Sequence, residues 1–100
     1  MPYFVCYDIE DDKRRLKTAN KLIEMGFQRL QKSVFAGDPG EVALQELLLW
    51  LKKHFPPGQK TQDTALLLPC TQRQLELAQI FGCDPPDWLL LTDPPNTLII

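Results

Sequence analysis

Apolar residues run through this chain in two rhythms. Residues 3–7, Tyr-Phe-Val-Cys-Tyr, are apolar without interruption and are closed by Asp8. Such a run reads as a strand, and its lack of alternation predicts a central strand covered on both faces. From Leu16 the spacing becomes helical: Leu16, Ala19, Leu22, Ile23 and Met25 form one stripe, the mark of a helix with one buried side. Asp11 or Asp12 is placed to cap its start, and Gly26 to end it. Phe27 to Gly37 reads as extended, with a bulge near Gln31-Lys32 or two short strands in succession.

Asp38, Pro39 and Glu41 predict the start of a second helix, with Asp38 as N-cap, Pro39 in the first position and Glu41 completing a capping box. Its expected stripe is Val42, Leu44, Leu47, Leu48, Leu51 and Phe55, with Leu49 and Trp50 reaching a second surface. Pro56-Pro57-Gly58 stops it. Thr64 to Leu68 reads as another buried strand. Thr71 and Gln74 form a second capping box for a short helix expected to end at Gly82. Asp87 to Leu91 reads as a short strand, and Thr97 to Ile100 is an apolar tail.

This order predicts an α+β fold: a ferredoxin-like sandwich, an antiparallel sheet with helices on one face. Residues 1–82 would form the core domain and 83–100 a C-terminal strand or tail. The uncovered sheet face and the apolar tail predict a homodimer packed through the sheets, with C-terminal strand exchange.

Composition narrows the classes. The 100 residues are 44% apolar and 24% charged with net charge −2, so this is one ordinary globular domain and not a bulk polycation. The cations nonetheless cluster: Lys13, Arg14, Arg15, Lys17, Lys21, Arg29 and Lys32 all fall in the first third. A nucleic-acid contact would therefore use a local patch. Cys6, Cys70 and Cys83 have no close-spaced pair, which argues against a zinc site or a disulfide framework and for free, buried thiols. No basic leader precedes the first apolar run, and no run is long enough to span a bilayer, so no membrane role is expected and the cytoplasm is the default.

Two chemistries are open at Asp8. A carboxylate ending a strand can cap backbone groups, or it can hold a hard cation at the sheet end where ligands commonly bind. Glu10, Asp11 and Asp12 suit a helix start favoured by the dipole. Ser33 has no His to activate it, so it is expected to bond backbone near the site, and Phe35 to serve the core.

The segment VCYDIEDDKRRLKTANKLIEMGFQRLQKSVFAG resembles the signature of the CRISPR-associated protein two family. The matching features are a strand ending YDI, then DDKRR opening a helix, then G-F-x-R-x-Q-x-SVF-x-G. TALLLPCTQRQLELAQIFG resembles the family's fourth strand and following turn more loosely.

The resemblance implies a homodimeric, magnesium-dependent endonuclease (manganese as substitute) acting on single-stranded RNA or double-stranded DNA. It also implies a complex with the CRISPR integrase subunit in spacer acquisition. The family's metal ligand falls on Asp8, its important basic residues on Arg15, Lys17 and Arg29, and its SVF motif on Ser33, Val34 and Phe35. Lys17 departs from the arginine frequent in relatives, which keeps charge and loses bidentate phosphate contact. Asp8 from each subunit would pair at a two-fold axis. Lys13, Arg14, Arg15, Lys17, Lys21 and Arg29 would face nucleic acid. The alternative is a non-catalytic bridge that binds protospacer DNA and the integrase subunit.

Overall fold

A computed structural model describes residues 1–82. Its elements run β1 (Tyr3–Asp8), α1 (Asp12–Glu24), β2 (Gln28–Gln31), β3 (Val34–Gly37), α2 (Glu41–His54), β4 (Thr64–Pro69) and α3 (Gln72–Leu77). One four-stranded sheet has the order β2-β3-β1-β4 with every pair antiparallel. This is an α+β sandwich compatible with the ferredoxin-like arrangement.

The predicted first strand and helix appear with their signals. Asp11 is the N-cap of α1, and its side chain accepts from Arg14 N at 2.9 Å. At the other end, Gly26 takes φ +89°. Its N–H bonds Ile23 O at 3.0 Å, and Phe27 N bonds Leu22 O at 2.9 Å. These two bonds make a Schellman motif, in which glycine takes the left-handed position without steric cost. The extended stretch from Phe27 resolves into the β2–β3 hairpin, with its irregularity between Arg29 and Gln31. Gly37 is there for space: a Cβ would lie 2.9 Å from the Phe27 ring.

Strand alternation decides the core. Val5, Tyr7, Phe35, Ala19, Leu22, Phe27 and Leu47 are buried together under α1 and α2. On the opposite face, Leu75 of α3 covers Ala36 and Cys70, with Phe4 and Leu30 against them. Helices thus lie on both faces, whereas the sequence predicts one. The remainder of that second face carries Leu66 and Leu68, which are 55% and 49% exposed.

Several expectations are corrected. β1 is central, but only one of its faces is fully covered. Among the described residues, β4 is an edge strand that alternates rather than a buried run. Leu16 and Ile23 of α1, and Val42 of α2, are exposed; apolar spacing on a short helix exceeds what one sheet face can cover. Gly40, not Asp38, is the N-cap of α2, with no side-chain cap. Asp38 instead pairs with the Met1 ammonium at 3.2 Å, because Gly37 still belongs to β3 and the helix starts later. The Thr71 capping box forms, but α3 ends at Leu77, short of Gly82. The expected strand 87–91, the tail and its exchange lie outside the described residues.

Candidate functional site

The site region is the C-terminal end of β1. Alternation along this strand turns Val5 and Tyr7 towards the helices, and Phe4, Cys6 and Asp8 towards the other face. Asp8 is exposed, opposite Thr64 of β4 in the register. Among the described residues no three metal-ligating side chains gather. Asp8 is therefore a single carboxylate at the rim of the half-covered face.

The loop that follows is fixed from a distance. Asp63, 5% exposed, accepts from Glu10 N at 3.1 Å and from Arg14 Nη1 at 2.5 Å. Arg14 Nη2 donates to the His54 carbonyl at 2.5 Å, and its guanidinium lies 5.5 Å from the Phe55 ring centroid. A buried carboxylate is stable only when its oxygens are used this way. Arg14, expected to face nucleic acid, thus joins α1 to the end of α2 and the start of β4. Asp63 carries no local signal in the sequence, since its partner is 49 residues away.

On the helix side of the sheet, Arg15, Arg29, Lys32, Tyr7, Ser33 and Asp12 line a cleft of about 300 Å³. Arg29 lies 5.1 Å from the Phe35 ring centroid and donates to Lys32 O at 3.2 Å. The Tyr7 hydroxyl lies 3.4 Å from the same carbonyl. Arg15 donates to Ile9 O at 3.3 Å and pairs with Asp12 one turn back. Three cations against one carboxylate in a concave site favour an anion. Ser33 is half-buried, and its carbonyl accepts from Tyr7 N at 3.1 Å. Phe35 is fully buried, a core residue that also supports Arg29.

The structure therefore brings Arg15 and Arg29 together and adds Lys32, which is not among the site residues that the sequence predicts. It places Lys17 elsewhere, with Lys13 and Lys21 beside Trp50. Lys21 pairs with Glu46 at 2.7 Å and links α1 to α2. Asp8 stands on the opposite sheet face from the Arg15–Arg29 cleft, although Tyr7, its neighbour in β1, lines that cleft. Of the thiols expected to be buried, Cys70 is buried, Cys6 is only half-buried, and Cys83 lies outside the described residues. Burial, reinforced by the charge of Asp38 and opposed by the N-terminal ammonium, pushes the Cys70 thiol above its ordinary value.

Comparison with known proteins gives a consistent picture. The family model described as CRISPR associated protein Cas2 matches residues 1–77. A Synechocystis protein named CRISPR-associated endoribonuclease Cas2 2 is 40% identical over 95 residues, covering 89% of this chain and 97% of its own. A protein of Aeropyrum pernix named CRISPR-associated endoribonuclease Cas2 is 48% identical over 65 residues, 65% of this chain and 70% of its own. Among solved structures, the hypothetical protein TT1823 from Thermus thermophilus is similar with a TM-score of 0.66 and 33% identity, covering 85% of this chain and 94% of that one.

Proposed function

The chain belongs to the CRISPR-associated protein Cas2 family, and on that footing we propose that it is a metal-dependent endonuclease of CRISPR adaptation. It cleaves phosphodiester bonds in single-stranded RNA or double-stranded DNA. The names of its relatives as endoribonucleases support the reaction class. It works in the cytoplasm, as a homodimer, with the CRISPR integrase subunit as its further partner.

One observation carries this reading: Asp8 emerges exposed at the rim of the sheet face that also exposes Leu66 and Leu68. Two copies packed through these apolar faces would bring two Asp8 side chains to one axis. The donor set fits magnesium or manganese, since hard oxygen ligands suit both and magnesium keeps several waters when held by one or two carboxylates. Asp8 of each copy would hold the ion, which when bound supplies Lewis acidity at the phosphodiester. Arg15 and Arg29, with Lys32, grip the polynucleotide where it passes over the end of the sheet, and neutralise phosphate charge. Tyr7 and Phe35 keep that cleft in shape from below.

The test is magnesium-dependent cleavage of RNA and duplex DNA across a range of pH. Asp8→Ala is expected to abolish cleavage while light scattering shows an unchanged dimer. Undiminished cleavage by that variant would overturn the assignment. A second reading is favoured by the separation of Asp8 from the cations across the sheet: a non-catalytic bridge for protospacer DNA. It gains if the wild-type protein is inert and spacer integration survives Asp8→Ala.

A further inference from the structure

The side of α1 turned towards α2 carries a second surface that the Asp8 reading does not use. Lys13, Lys17 and Lys21 recur every four residues, so they form one row with about 6 Å of helix rise between successive lysines. With Leu16 and Trp50 they line a groove of about 540 Å³ between α1 and α2. Leu16 is 62% exposed. Lys13 and Lys17 have no ion-pair partner among the described residues, whereas Lys21 is paired with Glu46; Glu24 is the one carboxylate lining the groove.

The aromatic ring is backed by an imidazole. Trp50 stacks on the His54 imidazole with centroids 4.0 Å apart and an interplanar angle of 20°. His54 Nδ1 lies 2.9 Å from the Trp50 carbonyl, and the His54 carbonyl is held by Arg14. The imidazole thus packs against the indole. An aromatic ring beside a row of ammonium groups is the combination that binds single-stranded nucleic acid with little sequence preference: bases stack, and phosphates meet the cations.

We propose that the α1–α2 groove is a binding track for single-stranded nucleic acid, distinct from the Arg15–Arg29–Lys32 cleft, in which a base stacks on Trp50 and the adjoining phosphates pair with Lys13 and Lys17. This rests on nucleic acid being the ligand class of the protein and extends it to a face away from Asp8.

Tryptophan fluorescence tests it directly. The chain has two tryptophans, so Trp88→Phe in the full chain leaves Trp50 as the reporter. Titration with oligo(dT) or oligo(U) is expected to quench it saturably. Lys13→Ala with Lys17→Ala should flatten the dependence of log affinity on log salt by about 1.4, or about 0.7 per lost phosphate contact. The corresponding arginine pair should restore the slope. Trp50→Ala, read by anisotropy of a labelled oligonucleotide, should weaken binding about tenfold, and Trp50→Phe by less. Circular dichroism checks that each variant is folded.

Absence of quenching, or a salt slope unchanged in the folded lysine variant, overturns the proposal. So does quenching that follows protein concentration alone, which would mark this face as a contact between copies. Repeating the titration on Asp8→Asn separates the two readings. Binding there without wild-type cleavage fails the nuclease and keeps the groove; wild-type cleavage with an unquenched Trp50 does the reverse.

Discussion

The two faces of the sheet share the same strands and have opposite fates. Towards α1 and α2, Val5, Tyr7 and Phe35 are at most 6% exposed. Towards the other side, Leu66 and Leu68 remain half in solvent, and the strand beside them ends in a bare carboxylate. The first face accounts for the fold; the second carries apolar surface that the described residues leave open. An apolar patch of that kind ordinarily marks an interaction site. β1 serves both, so the packed core and the open face are separated by the direction of alternate side chains rather than by segments of chain.

That division can be broken most forcefully from the covered side. Phe35 is wholly buried and supports both Tyr7 and Arg29. Phe35→Ala is expected to cost about 3–5 kcal/mol in urea unfolding, the range for an aromatic cavity. A loss below about 1 kcal/mol would mean that this face is not the core.

Asp63→Ala is the next largest change. It leaves Arg14 and the Glu10 amide without their buried partner, and should cost about 1–3 kcal/mol. It should also raise hydrogen exchange in the loop after Asp8. An unchanged exchange rate there would show that Asp63 does not hold that loop.

Charging the open face should do least to the single chain. Leu66→Lys together with Leu68→Lys is expected to change the stability of one chain by less than about 0.5 kcal/mol each. The same pair should halve the mass seen by light scattering if two copies pack there. A full loss of folding would place these leucines in the core, and an unaltered dimer would move the contact elsewhere.

Local chemistry was legible and distant chemistry was not. The Asp11 cap, the Gly26 ending and the Thr71 capping box each depend on residues within a few positions, and each forms as its sequence suggests. Asp38 looked like a cap on the same grounds, but it lies beside the N-terminal ammonium, which no short window reveals. The unbroken apolar run of β1 predicts cover on both faces, and that of β4 a buried strand. Such a run states only that both faces are apolar, and a face can be covered by the same chain or by another. At the site, Arg15 and Arg29 line one cleft, with Asp8 on the other face of the sheet. Arg14 differs because Asp63 and His54, far along the chain, claim its guanidinium. Lys17 differs because two positions of helix turn it about 200° from Arg15.

The antiparallel ladders on both sides of β1 give its six residues a parity. A one-residue insertion or deletion between Tyr3 and Asp8 would move the carboxylate into the helix-side layer and send an aromatic ring out in its place. Two such changes in the same strand would restore it. The polar loop from Gln59 to Gln62 has no such constraint up to the point where Asp63 must meet Arg14. Length variation among functional relatives should accordingly come in steps of any size in that loop, and in even steps or none within β1.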